Sequence, residues 1–581
     1  MPRTPSLLLL AAVAACTESP PERDGEVDLR APSSRPTQVD PAEVADDGIA
    51  ALAQTAASRL LDQATFGARP ANGVVPPPID SVEHVMTRTV AAAVVDLLNA
   101  PAGSFAPTPP RPAGSCDGTF DPKTDLGAQF FVAALTAPDQ LRLRTAYALH
   151  QILVVSEGGI RENRDTCTSE KRDGMRRYLN VLRSRAFGSY RKLLEAVTVE
   201  PAMGAFLNMA NNVAFAPDGS PITPNENFAR ELLQLFTIGT TLLDEGGQPL
   251  LDASGQPRPA YTEARVQAFA RTLTGWTYRA STGCPTVGGK NVATYDGPMI
   301  PCAVNHDSRE AQLLTYPGVV NGGRTTRGES PQVHLTEALD NLFYHPNLPP
   351  FVVKQLIGHL VTSNPSPAYV RRVVAVFKDD GSAAHNRGNL REVIRAILTD
   401  PEAQARPGPT GGRVRSPVEM ISFLFRTIGT TLSTDPAKNP GGKLNAYSGS
   451  MGQSIPRPPS VFSYYAPETP LPGENPNDLV GPVFDVLDTG TISVRANFVH
   501  DTLLGTALTE AGLRYDLATI PDQPAALIAW IEARWLHGAM SPELRATLTS
   551  ALADTRSGST LRKKQLALYL AAISPEFQTQ R

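Results

Sequence analysis

Residues 223–239 read Thr223-Pro224-Asn225-Glu226-Asn227-Phe228-Ala229-Arg230-Glu231-Leu232-Leu233-Gln234-Leu235-Phe236-Thr237-Ile238-Gly239. Phe228, Leu232, Leu235 and Phe236 fall on one face at helical spacing. Thr223 and Glu226 match the T-x-x-E capping box, with Pro224 at the first helical position. Gly239 suits the left-handed residue that closes a helix. Glu226 and Arg230 stand four apart in the order that favours an ion pair, and Asn227 and Glu231 stand at the same spacing, within reach of a hydrogen bond.

The same period recurs on both sides. Ala57, Leu60, Leu61 and Ala64 form one stripe, and Gly67 and Pro70 stop it. Leu141, Thr145, Ala148, Leu149 and Ile152 form another, as do Val353, Leu356, Ile357 and Leu360. Val370, Val373, Val374 and Phe377, then Leu390, Val393, Ile394 and Ile397, and finally Leu566, Tyr569, Leu570 and Ile573 repeat it. Alternating runs are scarce. The expected fold is therefore mainly α: a large multi-helix orthogonal array with an irregular, loop-rich insert at 276–330 and at most a short β-hairpin. The breaker run Arg406-Pro407-Gly408-Pro409-Thr410-Gly411-Gly412 divides a main helical domain, 49–405, from a C-terminal helical subdomain, 413–581.

The N-terminus reads as an export signal. Arg3 precedes the apolar run Leu7 to Ala15, which is too short to span a bilayer. It ends in Val13-Ala14-Ala15-Cys16, which resembles a lipobox, so 1–15 is expected to be removed and Cys16 acylated. Thr17, in place of an aspartate, favours the outer membrane. Residues 16–48, rich in proline and charge, read as a disordered tether. The 581-residue chain carries a net charge of −4 and shows no basic stripe, which argues against nucleic acid as a partner. The four remaining cysteines, Cys116, Cys167, Cys284 and Cys302, suggest disulfides in an exported protein. Of the three connectivities, the sequence neighbours Cys116–Cys167 and Cys284–Cys302 are favoured; no C-x-x-C spacing supports a metal, and no motif calls for a cofactor.

The opening stretch resembles the signature of the bacterial domain-of-unknown-function family 1800. Further blocks agree in order: Ser58-Arg59-Leu60-Leu61-Asp62-Gln63-Ala64-Thr65-Phe66-Gly67; Asp139-Gln140-Leu141-Arg142 through Gln151-Ile152-Leu153-Val154-Val155-Ser156; and Tyr261-Thr262-Glu263 with Thr274-Gly275-Trp276. Then come His345-Pro346-Asn347, Leu360-Val361-Thr362-Ser363-Asn364-Pro365-Ser366-Pro367, Arg457-Pro458-Pro459-Ser460-Val461-Phe462 and Ser574-Pro575-Glu576-Phe577. The resemblance runs from about 50 to 581. It brings no established activity. It implies an exported protein and, as a partner, a second secreted family similar to alkaline-phosphatase-type hydrolases.

Candidate chemistry centres on Glu226, Arg230 and Glu231 with His306 and Asp307. Five residues along a helix leave Glu226 and Glu231 roughly 140° apart, which argues against paired acid–base carboxylates and for service to Arg230 and Asn227. A histidine beside a carboxylate suits a base or ligand; the family's following glycine and lysine are replaced by Arg309 and Ala311. Asn225, Asn227, Trp276, Tyr464 and Tyr465 are candidate binding residues for a polymer groove. Ser189-Tyr190-Arg191-Lys192 matches S-x-x-K without its partner motifs. Two functions compete. One is an envelope lipoprotein, anchored to the membrane by lipid, that binds or assembles with an envelope polymer or a secreted partner. The other is an envelope hydrolase with Asn225, Glu226, Arg230, Glu231, His306 and Asp307 in one pocket. The hydrolase needs the 226–231 helix and the 306–307 loop to meet; the binding protein needs them tied up in structural bonds or far apart.

Overall fold

The computed structural model describes residues 54–107, 125–160, 170–408, 411–435, 437–475, 477–554 and 558–581. Helices dominate. In chain order they are α1 (Gln54–Ala64), α2 (Val90–Leu98), α3 (Leu126–Thr136), α4 (Gln140–Ile152), α5 (Glu170–Arg185), α6 (Tyr190–Thr198), α7 (Pro201–Phe206) and α8 (Asn227–Glu231). After a π-helical turn, Leu232–Thr237, come α9 (Glu263–Thr272), α10 (Pro331–Phe343), α11 (Leu348–Leu360), α12 (Pro367–Lys378) and α13 (Leu390–Thr399). The chain ends through α14 (Pro417–Thr427), α15 (Pro440–Ser450), α16 (Thr489–Leu503), α17 (Pro524–Arg534), α18 (Pro542–Ala553) and α19 (Thr560–Ala572).

Many starts share one local cause. Ser330-Pro331, Ser366-Pro367, Ser416-Pro417 and Ser541-Pro542 each place a serine whose hydroxyl accepts a first-turn N–H, followed by a proline whose missing N–H costs nothing there. The apolar stripes then turn inward, and Leu60, Leu149, Val353, Val373 and Ile394 are fully buried; on α19 the inward face is instead Ala567, Leu568, Ala571 and Ala572, with Leu566 and Leu570 only partly buried. The core is continuous across the 406–412 loop: α3 packs on α15, and α1 on α17.

Three two-stranded antiparallel pairs complete the fold among the described residues. Trp276–Thr277 pairs with Ile300–Pro301, so the insert closes as a long loop rather than as a tight hairpin. Arg413–Val414 pairs with Thr579–Gln580, and Thr430–Leu432 with Leu513–Tyr515. These last two pairings join segments far apart in sequence and had no local signal.

Buried ion pairs tie distant helices together. Arg415 reaches Asp62 at 2.5 Å, Arg426 reaches Asp80 at 2.6 Å and Arg183 reaches Asp139 at 2.5 Å.

Candidate functional site

Helix α8 begins later than its capping box suggests. Glu226 occupies the N-cap position but caps nothing with its side chain, and Thr223 stands outside the helix. Asn212 clasps the main chain of Asn225 from both sides, donating to its carbonyl (2.9 Å) and accepting from its N–H (2.8 Å). That clasp keeps 223–225 out of the helix. Asn225 Oδ1 accepts the Asn227 N–H at 2.9 Å and so serves as the cap instead.

The expected pair of Glu226 and Arg230 forms, at 3.1 Å. Arg230 also forks onto Glu263 of α9, at 3.0 and 2.7 Å, and this bidentate contact holds the Glu263 carboxyl below its usual range. The expected Asn227–Glu231 bond does not form, because Asn227 donates to Asn208 at 3.3 Å. Glu231 is 8 % exposed, its Oε2 is buried without a hydrogen-bond partner, and burial raises its pKa. The helix behind it widens into a π turn, where the Thr237 hydroxyl donates to Leu232 O at 2.5 Å. Gly239 ends it at φ 71°, as its sequence position predicts.

In front of α8 lies a cleft of about 490 Å³ between the α7–α8 connection and the insert. Asn208, Asn211, Asn212, Thr223, Asn225, Tyr278 and Lys290 line it. Asn208 and Asn211 adopt left-handed backbone, φ 61° and 62°, a conformation asparagine tolerates. Asn211 bolts the insert down: Nδ2 donates to Asn291 O (2.9 Å), and Oδ1 accepts from the Thr277 hydroxyl (2.5 Å) and Asn291 N–H (3.2 Å). A Cβ on Gly204 would stand 2.5 Å from Met299 Sδ, so glycine lets the insert lie flush on α7. Other groups keep unspent donors at the cleft: the side-chain amide nitrogens of Asn208 and Asn225, the Thr223 hydroxyl and the Lys290 ammonium have no partner among the described residues.

His306 and Asp307 point apart. His306 is 3 % exposed, hydrogen-bonded to Thr274 O at 2.9 Å and to His334 Nδ1 at 2.8 Å, and burial pushes it down to about 4. Asp307 receives both arms of Arg309, at 2.9 and 2.7 Å, and these and Arg271 keep its carboxyl below its usual range although burial alone would raise it. Neither lines the cleft; of the candidate catalytic and binding residues named from the sequence, only Asn225 does. The expected single pocket of carboxylates and histidine is therefore not assembled: His306 is taken by His334, Asp307 by Arg309, and Arg230 by Glu226 and Glu263, while Glu231 is buried apart.

The aromatic candidates are core residues. Trp276 is 2 % exposed and its carbonyl accepts from Asn211 N–H at 2.8 Å. Tyr464 is 4 % exposed and donates to Ser454 O at 2.7 Å; Tyr465 is 7 % exposed among buried arginines. None offers a face to a groove. Cys284 and Cys302 form the expected disulfide. Cys16, Cys116 and Cys167 lie outside the described residues. Among the described residues no group of three or more His, Cys, Asp or Glu is placed to hold a metal, and no helix is long and apolar enough to cross a membrane.

Sequence reasoning missed Asn208, Asn211, Asn212, Lys290, Glu263 and His334. The run Asn208-Met209-Ala210-Asn211-Asn212 was the available signal, since clustered asparagines mark left-handed turns. A family model described as "Protein of unknown function (DUF1800)" matches residues 59–579. No curated protein and no solved structure matches.

Proposed function

We propose that this chain, which belongs to the DUF1800 family, is a binding protein of the cell envelope whose asparagine-lined cleft takes a hydroxyl-rich polymer such as a glycan strand. The observation that carries this is the division of labour among polar groups. Arg230, His306 and Asp307 are consumed by structural bonds, whereas Asn208, Asn225, Thr223 and Lys290 leave donors unspent on an open cleft. Amide, hydroxyl and ammonium donors suit sugar hydroxyls and carboxylates. The Cys284–Cys302 bond fits an oxidising compartment and so supports export through residues 1–15, with lipidation at Cys16 and an outer-membrane address. A secreted partner similar to alkaline-phosphatase-type hydrolases fits the same setting.

The test is calorimetric titration of the mature protein with matched neutral and uronic-acid oligosaccharides. One class is expected to bind, and Asn225→Ala or Lys290→Ala to weaken it at least about tenfold, the loss of one good polar contact. Binding unchanged in both variants, or no binding of either class, overturns the reading.

Glu231 favours a second reading, an envelope hydrolase. A carboxyl with a buried oxygen that has no hydrogen-bond partner, with a raised pKa and beside a π turn, has the character of a general acid. Release of reducing ends by wild type but not by Glu231→Gln would support it.

A further inference from the structure

Beneath the strand pair that joins Arg413–Val414 to the chain's end, the core holds more positive charge than its carboxylates answer. Arg144 of α4 and Arg413 both donate to a single oxygen, Oε1 of Glu419 on α14. The other Glu419 oxygen accepts the Ser416 N–H at 2.9 Å. Arg495 of α16 makes no direct ion pair among the described residues and feels Glu419 only at a distance: its Nη1 donates to Arg415 O at 3.1 Å and Gln578 Oε1 at 2.8 Å, while Nη2 and Nε have no partner. Arg144, Arg413 and Arg495 are 1 %, 5 % and 2 % exposed. Arg415 is answered separately by Asp62.

The unspent polar atoms here are of one kind. Arg144 Nε, Arg413 Nε, and Arg495 Nε and Nη2 are buried donors without an acceptor, and the Tyr465 hydroxyl has Ser416 beside it but no well-formed hydrogen bond. Tyr465 is close enough to Arg495, Arg413, Arg144 and Glu419 to influence or feel their ionisation. It is no counter-ion itself: burial pushes its phenol up, so it stays protonated. Arg495 is pushed down by burial only to about 10, so it stays charged at neutral pH. His359 nearby is pushed to about 3, by burial first and then by Arg413 and Arg144, so it remains neutral. Two guanidiniums thus share one carboxylate and a third lies within its field but outside its reach, in a low-dielectric interior where an unanswered charge is costly. Water would supply an acceptor but no charge; an anion supplies both.

We propose that Arg495, with Arg413 and the Tyr465 hydroxyl, forms a buried site for a small monovalent inorganic anion of the halide class, chloride above all. The site joins the Arg413–Val414 strand to α16, and Arg413 shares Glu419 of α14 with Arg144 of α4, so the anion acts as a structural pin of the segment after the 406–412 loop.

The test is thermal unfolding of the mature protein at neutral pH and fixed ionic strength, with gluconate replaced stepwise by chloride, alongside bromide-soaked crystals of the wild type. The melting temperature is expected to rise by several degrees and level off as the site fills. In Arg495→Met the chloride dependence is expected to vanish while the fold stays intact, since relief of a buried charge without an ion-pair partner offsets part of what Arg415 O and Gln578 Oε1 lose with their donor. An anomalous bromide peak against the Arg495 guanidinium is expected independently of any variant. Equal chloride dependence in wild type and variant, or absence of the bromide peak, overturns the proposal.

Discussion

His306 Nε2 and His334 Nδ1 face each other at 2.8 Å, and the outer nitrogen of each ring faces a main-chain carbonyl, Thr274 O at 2.9 Å and Thr326 O at 2.7 Å. Carbonyls only accept, so three contacts call for three N–H groups, and two neutral imidazoles carry two. A third proton would complete the chain. Burial opposes it and wins, for His306 is held neutral down to about 4, with Asp307 pulling weakly the other way. The pair clips the insert, through His306, to α10, through His334.

Acid should therefore weaken the fold early. His150, His345 and His537 are pushed to about 4 and His359 to about 3, all by burial before any other cause. Below about pH 6.5 the unfolded chain takes up protons that these folded histidines refuse, so each lowers stability by up to about 1.4 kcal/mol per pH unit. The loss runs from pH 6.5 down to about 4, where the folded groups protonate too, and is absent above 6.5. Glu419, held at about 2 by Arg144 and Arg413 against its burial, adds its own loss only below about 4.5. Urea midpoints between pH 8 and 4 check this, and His345→Gln should shallow the slope by one histidine's share.

Arg426 should be costly to remove. It donates to Gly67 O (2.6 Å), Leu135 O (2.8 Å) and Asp80 (2.6 Å) while fully enclosed. Arg426→Met should cost about 3–5 kcal/mol, since Asp80 and two carbonyls lose their donor in the interior. Chemical denaturation reads the loss. A cost under 1 kcal/mol would mean that Asp80 is carried by Arg69 alone.

Reducing Cys284–Cys302 should loosen the insert before the helices. The bridge spans 18 residues, for which loop-closure entropy gives about 3 kcal/mol. Limited proteolysis of Cys284→Ala/Cys302→Ala is expected to cut first between 279 and 299, with helical circular dichroism unchanged.

Glu231→Gln should not destabilise at neutral pH. A carboxyl whose folded pKa is raised loses stability as pH climbs above its unfolded value, and an amide does not ionise. The variant's melting temperature should equal or exceed the wild type's at pH 7 and fall below it near pH 4.

Some of the site was written in neighbouring letters. Glu226 and Arg230 meet because one helical turn brings them together, and Gly239 ends its helix because glycine alone adopts that backbone freely. The capping box and the Asn227–Glu231 bond were equally plausible locally. They failed because Asn212 and Asn208, more than a dozen residues away, made better offers to the same groups.

The helical stripes, the Ser-Pro starts and the Cys284–Cys302 loop depend on interactions within about twenty residues, and the order of side chains along the chain settles them. Which polar group is spent and which is left for a ligand was settled only by packing. His306 met His334 rather than Asp307, Tyr465 went among arginines rather than onto a groove, and Lys290 was brought to the same cleft as Asn208 by the folding of the insert. Those outcomes are contests between partners remote in sequence, decided by burial and distance that no linear spacing encodes.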